Sequence, residues 1–379
     1  MHSNPMQPRL DQSAVKIQEL ESLRGMAALL VLFYHIPQWN NLLDIGIIKN
    51  SYLMVDLFFI LSGFVIYTVY SPKIHSTNDL YRFQFLRFGR LYPVHLVFLS
   101  AFLLIEIAKY FAERKLGLSN VRASSFSVNT PQALIEQLFL LQAVLSNNAA
   151  TFNSPAWSIS VEFYTYFLFG LLVLVFKDRA VKIFVSLALI SLFILTMNHT
   201  PESDNLLRCL AGFFIGCLTA QANRQNNSKP NRYFSITVLL FIILFLQVKS
   251  PQHLDILIYF LVPPLIFSIV RNRNGFLNKI LNARILVWLG AISYSLYMSH
   301  SLVIWGVANI FKRVLQRPET LVDGVYVLQL TPLETAAACF TIITAVLLLS
   351  QMTYIWIEKP FRQKSRCIAF GRNDPPPSI

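Results

Sequence analysis

Long apolar stretches alternate with short polar segments along almost the whole chain. About 20 apolar residues are needed for one helix to cross a bilayer. Ten stretches reach or approach that length, and they cover residues 23–36, 53–70, 91–111, 157–176, 183–197, 206–220, 234–248, 256–270, 285–307 and 336–357. The pattern predicts an all-α, polytopic integral membrane protein with about ten transmembrane helices.

One further segment, residues 131–145, is apolar on one side only. Its leucines recur at helical spacing, and its polar residues occupy other positions; the leucines are Leu134, Leu138, Leu141 and Leu145. A helix that is apolar along one face lies in the membrane interface. We therefore expect a helix that is interfacial or half inserted, rather than a further span.

The composition supports a membrane protein and orients it. Of the 379 residues, 55% are hydrophobic and only 13% are charged, whereas soluble proteins are about a quarter charged. Most of the 32 lysines and arginines fall in loops that are cytoplasmic if the N-terminus is cytoplasmic. The positive-inside rule then predicts that both termini are cytoplasmic. The net charge of +13 is explained by inner loops that face anionic lipid, without nucleic acid.

The chain divides into one large membrane domain and two short ends. Residues 1–20 are polar and are expected to form a disordered cytoplasmic segment, residues 21–361 a transmembrane domain, and residues 362–379 a cytoplasmic tail. The first apolar stretch is not followed by the small-residue cleavage site of a signal peptide. We find no glycine-rich phosphate loop, nucleophile elbow or metal-ligand spacing. No metal site is predicted, and any chemistry must use residues that project from the spans.

Four titratable side chains from four predicted spans share one depth near the outer side: His35, Asp56, Glu162 and His300. Ionisable residues inside a membrane are costly and commonly functional. A common depth is what a shared site would require. Blander interpretations stay open, because Asp56 and Glu162 could cap helix N-termini and His300 could be an interfacial histidine.

Three arginines lie at the opposite, cytoplasmic depth. Arg24 precedes His35 in the first span by about 16 Å at about 1.5 Å per residue. Arg87 and Arg90 are three residues apart and therefore share a helix face. Guanidinium groups bind phosphate in a bidentate manner and keep their charge, so these residues suit a phosphorylated ligand. Arg87 and Arg90 could instead serve only as topology signals and lipid contacts.

Six short motifs, in this order, resemble those of the acyltransferase-3 family of multispanning membrane proteins. They are LRGMAALLVLFYH, VDLFFILSGFVI, FLRFGRLYP, PAWSISVEFYTYF, LGAISYSLYMSH and IEKPFR, and they cover about residues 20 to 362. The resemblance implies transfer of an acetyl or other short acyl group from cytoplasmic acyl-coenzyme A to a hydroxyl group of a carbohydrate. It thus makes residues 21–361 an acyltransferase domain, with acyl-coenzyme A as co-substrate and no bound cofactor.

The resemblance also assigns residues to roles. The arginine-ten-histidine pair falls on Arg24 and His35, and the Arg-x-x-Arg pair falls on Arg87 and Arg90. The tryptophan-serine-x-serine-x-glutamate signature falls on the segment that begins at Trp157 and contains Ser158, Ser160 and Glu162.

From these residues we expect a direct transfer. The arginines would hold the phosphates, His35 would be the general base, and Glu162 or Asp56 would orient it. The candidates for acceptor contacts or for oxyanion donors are Ser62, Trp157, Ser158, Ser160, Tyr294 and His300.

The expected setting is the inner membrane of a bacterium, with membrane lipid and a carbohydrate or lipid-linked glycan as partners. The oligomeric state stays open. The rival hypotheses are a carrier or flippase for a lipid-linked sugar and an acyltransferase that acts on a lipid or an antibiotic.

Overall fold

The computed structural model describes residues 17–117, 124–145, 149–197, 204–226, 228, 230–248, 252–272, 275–322 and 325–371. These residues are mainly helical, and two short strands form an antiparallel hairpin. The helices are α1 Gln18–His35, α2 Gly46–Lys49, α3 Met54–Tyr70, α4 Thr77–Leu116, α5 Pro131–Leu138, α6 Trp157–Phe176, α7 Ala180–Met197, α8 Asn205–Gln225, α9 Phe234–Gln247, α10 Ile258–Arg271, α11 Phe276–Leu281, α12 Arg284–Asn309, α13 Pro332–Thr353 and α14 Lys359–Phe370. The strands are β1 Glu319–Val322 and β2 Val325–Leu328.

Short 3₁₀ segments connect several helices, and two π-helical turns extend others. The 3₁₀ segments are Asn41–Leu43, Ser51–Leu53, Ser71–Lys73, Ser154–Ala156, Lys177–Arg179 and Gln252–Leu257. The π-helical turns are Ile310–Val314, which extends α12, and Tyr354–Glu358, which joins α13 to α14.

The all-α, polytopic architecture predicted from the sequence is confirmed. Within the described residues, seven helical stretches are long and apolar enough to cross a membrane: Ser51–Lys73, Thr77–Leu116, Ser154–Met197, Asn205–Gln225, Leu254–Arg271, Arg284–Val314 and Pro332–Phe370. The stretch Ser154–Met197 contains both α6 and α7. Each of the ten predicted spans falls on a helix, but the number of ten crossings and the cytoplasmic termini stay predictions.

Both ends of the chain are more helical than the sequence suggested. Helix α1 begins at Gln18, inside the segment expected to be disordered, and residues 1–16 lie outside the described part. The expected tail begins within α14, which continues to Phe370 and packs against α4. Residues 372–379 lie outside the described part.

The segment 131–145 differs from the expected leucine-faced helix. Helix α5 ends at Leu138, and Leu145 is exposed, whereas Gln137 and Gln142 are fully buried. The side-chain amides of these two glutamines donate to the backbone carbonyls of Thr151 and Ala156, at 2.9 Å and 3.1 Å. The helix is thus shorter than predicted, because these amides hold the following loop in place, a long-range contact that helical periodicity does not contain. The segment is not among the candidate spans, as expected, and its interfacial position stays a prediction.

Helices α3 and α8 approach each other at glycines. A Cβ atom at Gly63 would lie 1.9 Å from the carbonyl oxygen of Phe213, and one at Gly216 would lie 2.0 Å from that of Ile60. Small residues allow the close backbone packing on which helix association in membranes depends. The contact matters for the site because α3 carries Asp56 and α8 carries the arginine that binds it.

We expect Gly216→Ala to destabilise the protein by about 1–3 kcal/mol or more, because the added methyl group has no room at a backbone contact. The thermal midpoint of the purified protein in detergent measures this effect. Gly306→Ala is the matched control, since a Cβ atom at that helical glycine meets no atom within 4 Å. Equal midpoints for the two variants would contradict the packing argument.

Candidate active site

The first cavity contains the histidine of the first span. It has a volume of about 450 Å³, and its walls include His35, Asp56, Trp157, Arg208 and Tyr297, with further tyrosines around them. These residues come from α1, α3, α6, α8 and α12. Polar groups bounded by aromatic rings are typical of a pocket for a small polar ligand.

His35 is the last residue of α1, and its environment defines its tautomer. Its Nδ1 atom lies 2.9 Å from the carbonyl oxygen of Val31. Because a carbonyl oxygen only accepts, Nδ1 carries the proton and the lone pair of the neutral ring is on Nε2. The C-terminal end of a helix also favours a positive charge. His35 is thus set up to accept a proton at Nε2.

The orienting group of His35 differs from the one expected. Among the described residues, neither Glu162 nor Asp56 is hydrogen-bonded to its ring, and the carbonyl of Val31 holds it instead. The prediction failed because Val31 lies four residues earlier on the same helix, and its backbone oxygen is within reach without any acidic partner.

His300 does meet His35, as the common depth suggested. The two ring centroids are 4.8 Å apart, and His300 is fully buried on α12. Neither of its nitrogen atoms has a hydrogen-bond partner in the described part of the chain.

Asp56 forms a buried ion pair. Arg208 donates to both of its carboxylate oxygens, with Nε to Oδ1 at 3.1 Å and Nη2 to Oδ2 at 2.7 Å. The hydroxyl group of Tyr259 donates to Oδ1 at 2.6 Å. Asp56 is 1% exposed. Its two carboxylate oxygens are bonded to Arg208 of α8 and Tyr259 of α10. The alternative interpretation of Asp56 as a cap of α3 does not hold, since no side-chain hydrogen bond caps that helix and Asp56 accepts from Arg208 and Tyr259 instead.

A second, smaller cavity of about 70 Å³ lies beside the first cavity and is lined by the arginines. Its walls include Arg24, Arg87, Arg90 and Glu162. Val55 and Tyr297 line both cavities, while Arg24 also pairs with Glu21 at 2.9 Å. All three predicted arginines therefore meet at one space, which adjoins the space of His35.

Glu162 belongs to a hydrogen-bonded chain in the smaller cavity. The hydroxyl group of Tyr166 donates to Glu162 at 2.5 Å, and the hydroxyl groups of Ser62 and Tyr166 are 2.6 Å apart. Because Tyr166 uses its proton on Glu162, Ser62 donates to Tyr166. Ser62 is therefore not a free oxyanion donor.

Two further candidates are also occupied by structural bonds. The hydroxyl group of Ser160 donates to the carbonyl oxygen of Leu140 at 2.5 Å, and that of Tyr294 donates to Leu91 at 2.5 Å. The candidates next to the junction of the two cavities are Ser158 and Tyr297, whose hydroxyl groups are 3.0 Å apart. Sequence reasoning named Tyr294 and missed Tyr297, although Tyr297 lies three residues before His300 and so shares its helix face.

Arg208 was also missed by sequence reasoning. It lies near the start of the predicted span 206–220. An arginine inside an apolar stretch indicates a functional role or a buried partner, and this signal was overlooked. Arg208 is the positively charged partner of Asp56, and its guanidinium carbon lies 5.3 Å from the centre of the Trp157 ring. Trp157 therefore has a place in the larger cavity, as a wall beside this ion pair.

Two arginines of the C-terminal helix, which the sequence analysis assigned to the tail, join the arginine site. Arg362 and Arg366 of α14 line one small cavity together with Arg87 and Arg90. In the described part of the chain, none of these four guanidinium groups forms an ion pair with a carboxylate. Arg87 donates to the hydroxyl group of Tyr70 at 2.8 Å. Arg90 and Arg362 also line an adjoining small cavity with Glu21 and Glu358, so carboxylates balance part of this charge. Four guanidinium groups around one cavity are still a candidate site for a polyanion.

Among the described residues, no group of three or more His, Cys, Asp or Glu side chains is arranged to hold a metal ion. The cavity walls carry histidine, carboxylate, hydroxyl and guanidinium groups. With the fold, they define a polytopic membrane protein in which a cavity lined by arginines adjoins a cavity with a histidine that can accept a proton.

Comparison with known proteins agrees with this class. The acyltransferase-3 family model, described as an acyltransferase domain, matches residues 17–351. The chain therefore belongs to the acyltransferase-3 family. No solved structure matches it.

Curated relatives include two peptidoglycan enzymes. Peptidoglycan O-acetyltransferase OatA of Listeria monocytogenes is 24% identical over 76% of this chain and 49% of its own length. Putative peptidoglycan O-acetyltransferase YrhL of Bacillus subtilis is 25% identical over 91% of this chain and 55% of its own length. Putative acetyltransferase ORF330 of Acidianus two-tailed virus is 26% identical over 77% of this chain and 85% of its own length. The chain thus spans about half the length of the two peptidoglycan relatives.

Proposed function

We propose that this protein is a membrane O-acyltransferase that moves an acetyl or other short acyl group from cytoplasmic acyl-coenzyme A to a carbohydrate hydroxyl group. A peptidoglycan-type or other cell-surface glycan is the proposed acceptor, by analogy with the named relatives. The observation that carries the proposal is the adjacency of the arginine cavity and the His35 cavity at Val55 and Tyr297.

We propose the following reaction, which this geometry supports. The acceptor hydroxyl group attacks the thioester carbonyl while Nε2 of His35 takes its proton. The carbon–sulfur bond then breaks, the new carbon–oxygen ester bond remains, and the proton passes to the leaving thiolate. Tyr297, at the junction of the cavities, is the proposed donor to the oxyanion. No covalent acyl-enzyme is required.

The donor would bind with its phosphates at the arginines and its thioester near His35. Coenzyme A carries a 3′-phosphate and a pyrophosphate, and both need several positive partners. Arg87 and Arg90 would serve together with Arg362 and Arg366 of α14, since all four line the same small cavity. The pantetheine arm would pass between the two cavities at Tyr297.

This arrangement agrees with the proposed orientation, in which the termini and the arginines face the cytoplasm of a bacterium and the larger cavity opens toward the outer half of its inner membrane. Membrane lipid surrounds the spans. The acyl group would therefore cross most of the membrane on the donor, rather than by movement of the protein.

Arg366→Gln tests the donor site. We expect KM for acetyl-coenzyme A to rise about tenfold or more with kcat nearly unchanged, since the lost charge-assisted bond serves binding alone. The assay follows acetyl transfer from labelled acetyl-coenzyme A to a solubilised peptidoglycan-type glycan. Acetyl-dephospho-coenzyme A, which lacks the 3′-phosphate, should show a smaller effect of the variant if Arg366 contacts that phosphate.

Lys364→Gln is the matched control, because Lys364 is an exposed cation on the same helix. An equal rise of KM in Lys364→Gln would assign the effect to general surface charge. No acetyl transfer by the wild-type protein, with tight binding of a lipid-linked sugar, would favour a carrier. Transfer only to a lipid or an antibiotic would keep the reaction and replace the acceptor.

A further inference from the structure

We propose that the acceptor is an amphiphile, a saccharide joined to a long hydrocarbon chain, and that its chain lies in a groove on the outside of the bundle. The groove has a volume of about 650 Å³ and is lined by apolar side chains of α7, α8 and α10, with Pro230 and Phe234 at one end. This inference rests on the proposed function, because it concerns the acceptor of that reaction.

The groove adjoins the candidate active site. Tyr259 lines both the groove and the His35 cavity. Its hydroxyl group donates to Asp56 on the cavity side, and its side chain is 4% exposed. A ligand that fills both spaces would therefore pass beside this one tyrosine.

The two spaces follow each other along one helix. Asp204, Asn205 and Arg208, at the start of α8, line the polar cavity. Later turns of the same helix, from Ile215 to Ala222, line the apolar groove. This order, polar first and apolar after it, matches a ligand with a polar head and an apolar tail.

The polar cavity and the groove together have the length of a chain-like ligand. Arg208, in the cavity, and Ala222, in the groove, lie about 21 Å apart along α8 at about 1.5 Å per residue. The groove itself takes up about 10 Å of this length, from Ile215 to Ala222. Leu189 and Phe260 are about 60% exposed on the two sides of the groove. The groove is thus open sideways, and a chain could enter it from the membrane.

A sequence feature of α10 accounts for the shape of this wall. Pro263 and Pro264 both line the groove. Prolines have no N–H, so the carbonyl groups of Tyr259 and Phe260 lose their helical donors, and helices bend at such positions. Two backbone carbonyl groups of α10 therefore lack helical donors, and one of them belongs to Tyr259, the residue that the groove shares with the cavity.

The test compares one saccharide in two forms, free and linked through phosphate to a polyprenyl chain. For the wild-type protein in detergent, we expect KM for the linked form to be at least tenfold lower than for the free form. Ala222→Trp fills the groove at the end remote from His35, and should remove most of that ratio. Ala336→Trp is the matched control, since Ala336 is also an exposed helical alanine, on α13, and it should preserve the ratio.

Equal KM values for the two forms in the wild type would overturn the inference and leave the proposed function intact. An unchanged ratio of the two KM values in Ala222→Trp would also overturn the inference, because partition of the linked form into the micelle would then explain the ratio. Acetylation of neither form would refute the proposed function itself.

A second measurement does not depend on the variant being folded. Saccharide-free polyprenyl phosphate should inhibit wild-type transfer to the linked form by raising its KM. It should raise the KM of the free form less, because the free form does not need the groove. Equal inhibition of both forms would count against a tail site.

Discussion

His35→Ala should reduce acetyl transfer at least about 100-fold, since a positioned general base contributes about 10² to 10⁴ in rate. The loss should appear in kcat, because the structure gives His35 no part in the arginine site that would hold the donor. The side chain is half-buried and its ring nitrogen bonds only to the backbone of Val31. We therefore expect the thermal midpoint of the variant to change little.

The measurement is initial-rate kinetics at saturating acetyl-coenzyme A, together with the thermal midpoint of the same preparation. His75→Ala is the control, because His75 is an exposed histidine beyond the end of α3 and is bonded only to nearby backbone. Activity near that of the wild type in His35→Ala would remove the general base from the mechanism. A large loss of stability would assign the effect to folding instead.

Asp56→Asn should destabilise the protein by about 3–5 kcal/mol, because removing one partner of a buried pair leaves the other charge uncompensated. Arg208 has 20% of its side chain exposed, and its guanidinium group depends on both oxygens of Asp56. Asparagine keeps an oxygen that can accept from Tyr259, so the variant isolates the loss of charge. The expected readout is a lower thermal midpoint and a lower yield of folded protein.

The double variant Asp56→Asn with Arg208→Met should recover much of this stability, since replacing both charges of a buried pair is often neutral. The double-mutant cycle measures the coupling directly. Asp178→Asn, at an exposed aspartate between α6 and α7, should leave the midpoint unchanged. If Asp56→Asn is as stable as the wild type but inactive, Asp56 has a direct catalytic role and the structural interpretation is wrong.

The two histidines and the three predicted arginines illustrate what a linear pattern can establish. Charged residues in apolar spans stand out because they are costly there, and counting residues gives their depth. A common depth made it possible for His35 to meet His300 and for Arg24 to meet Arg87 and Arg90, and the structure shows both groupings. Depth did not identify partners, because residues at one depth can face any direction around their helices.

The partners of Asp56 show this limit. Sequence reasoning offered Asp56, as an alternative to Glu162, as the orienting group of His35, whereas the structure pairs Asp56 with Arg208 and Tyr259 from helices that follow much later in the chain. In the same way, Arg362 and Arg366 were assigned to a tail, and they join the arginine site only because α14 packs against α4. Bonds to backbone carbonyl groups decide which of the serine and tyrosine candidates still have a free hydroxyl proton. A sequence motif does not show such bonds.

The sequence by itself determined that this is an all-α membrane protein of the acyltransferase-3 type, since apolar length, the placement of charge and six ordered motifs are properties of the chain. Only the tertiary structure decided which polar groups meet, which hydroxyl groups are already bonded, and that the arginine and histidine cavities adjoin at Tyr297. The physical reason is that helix rotation and packing are set by contacts between distant residues, such as the glycines of α3 and α8, and these contacts leave no periodic signal in either segment.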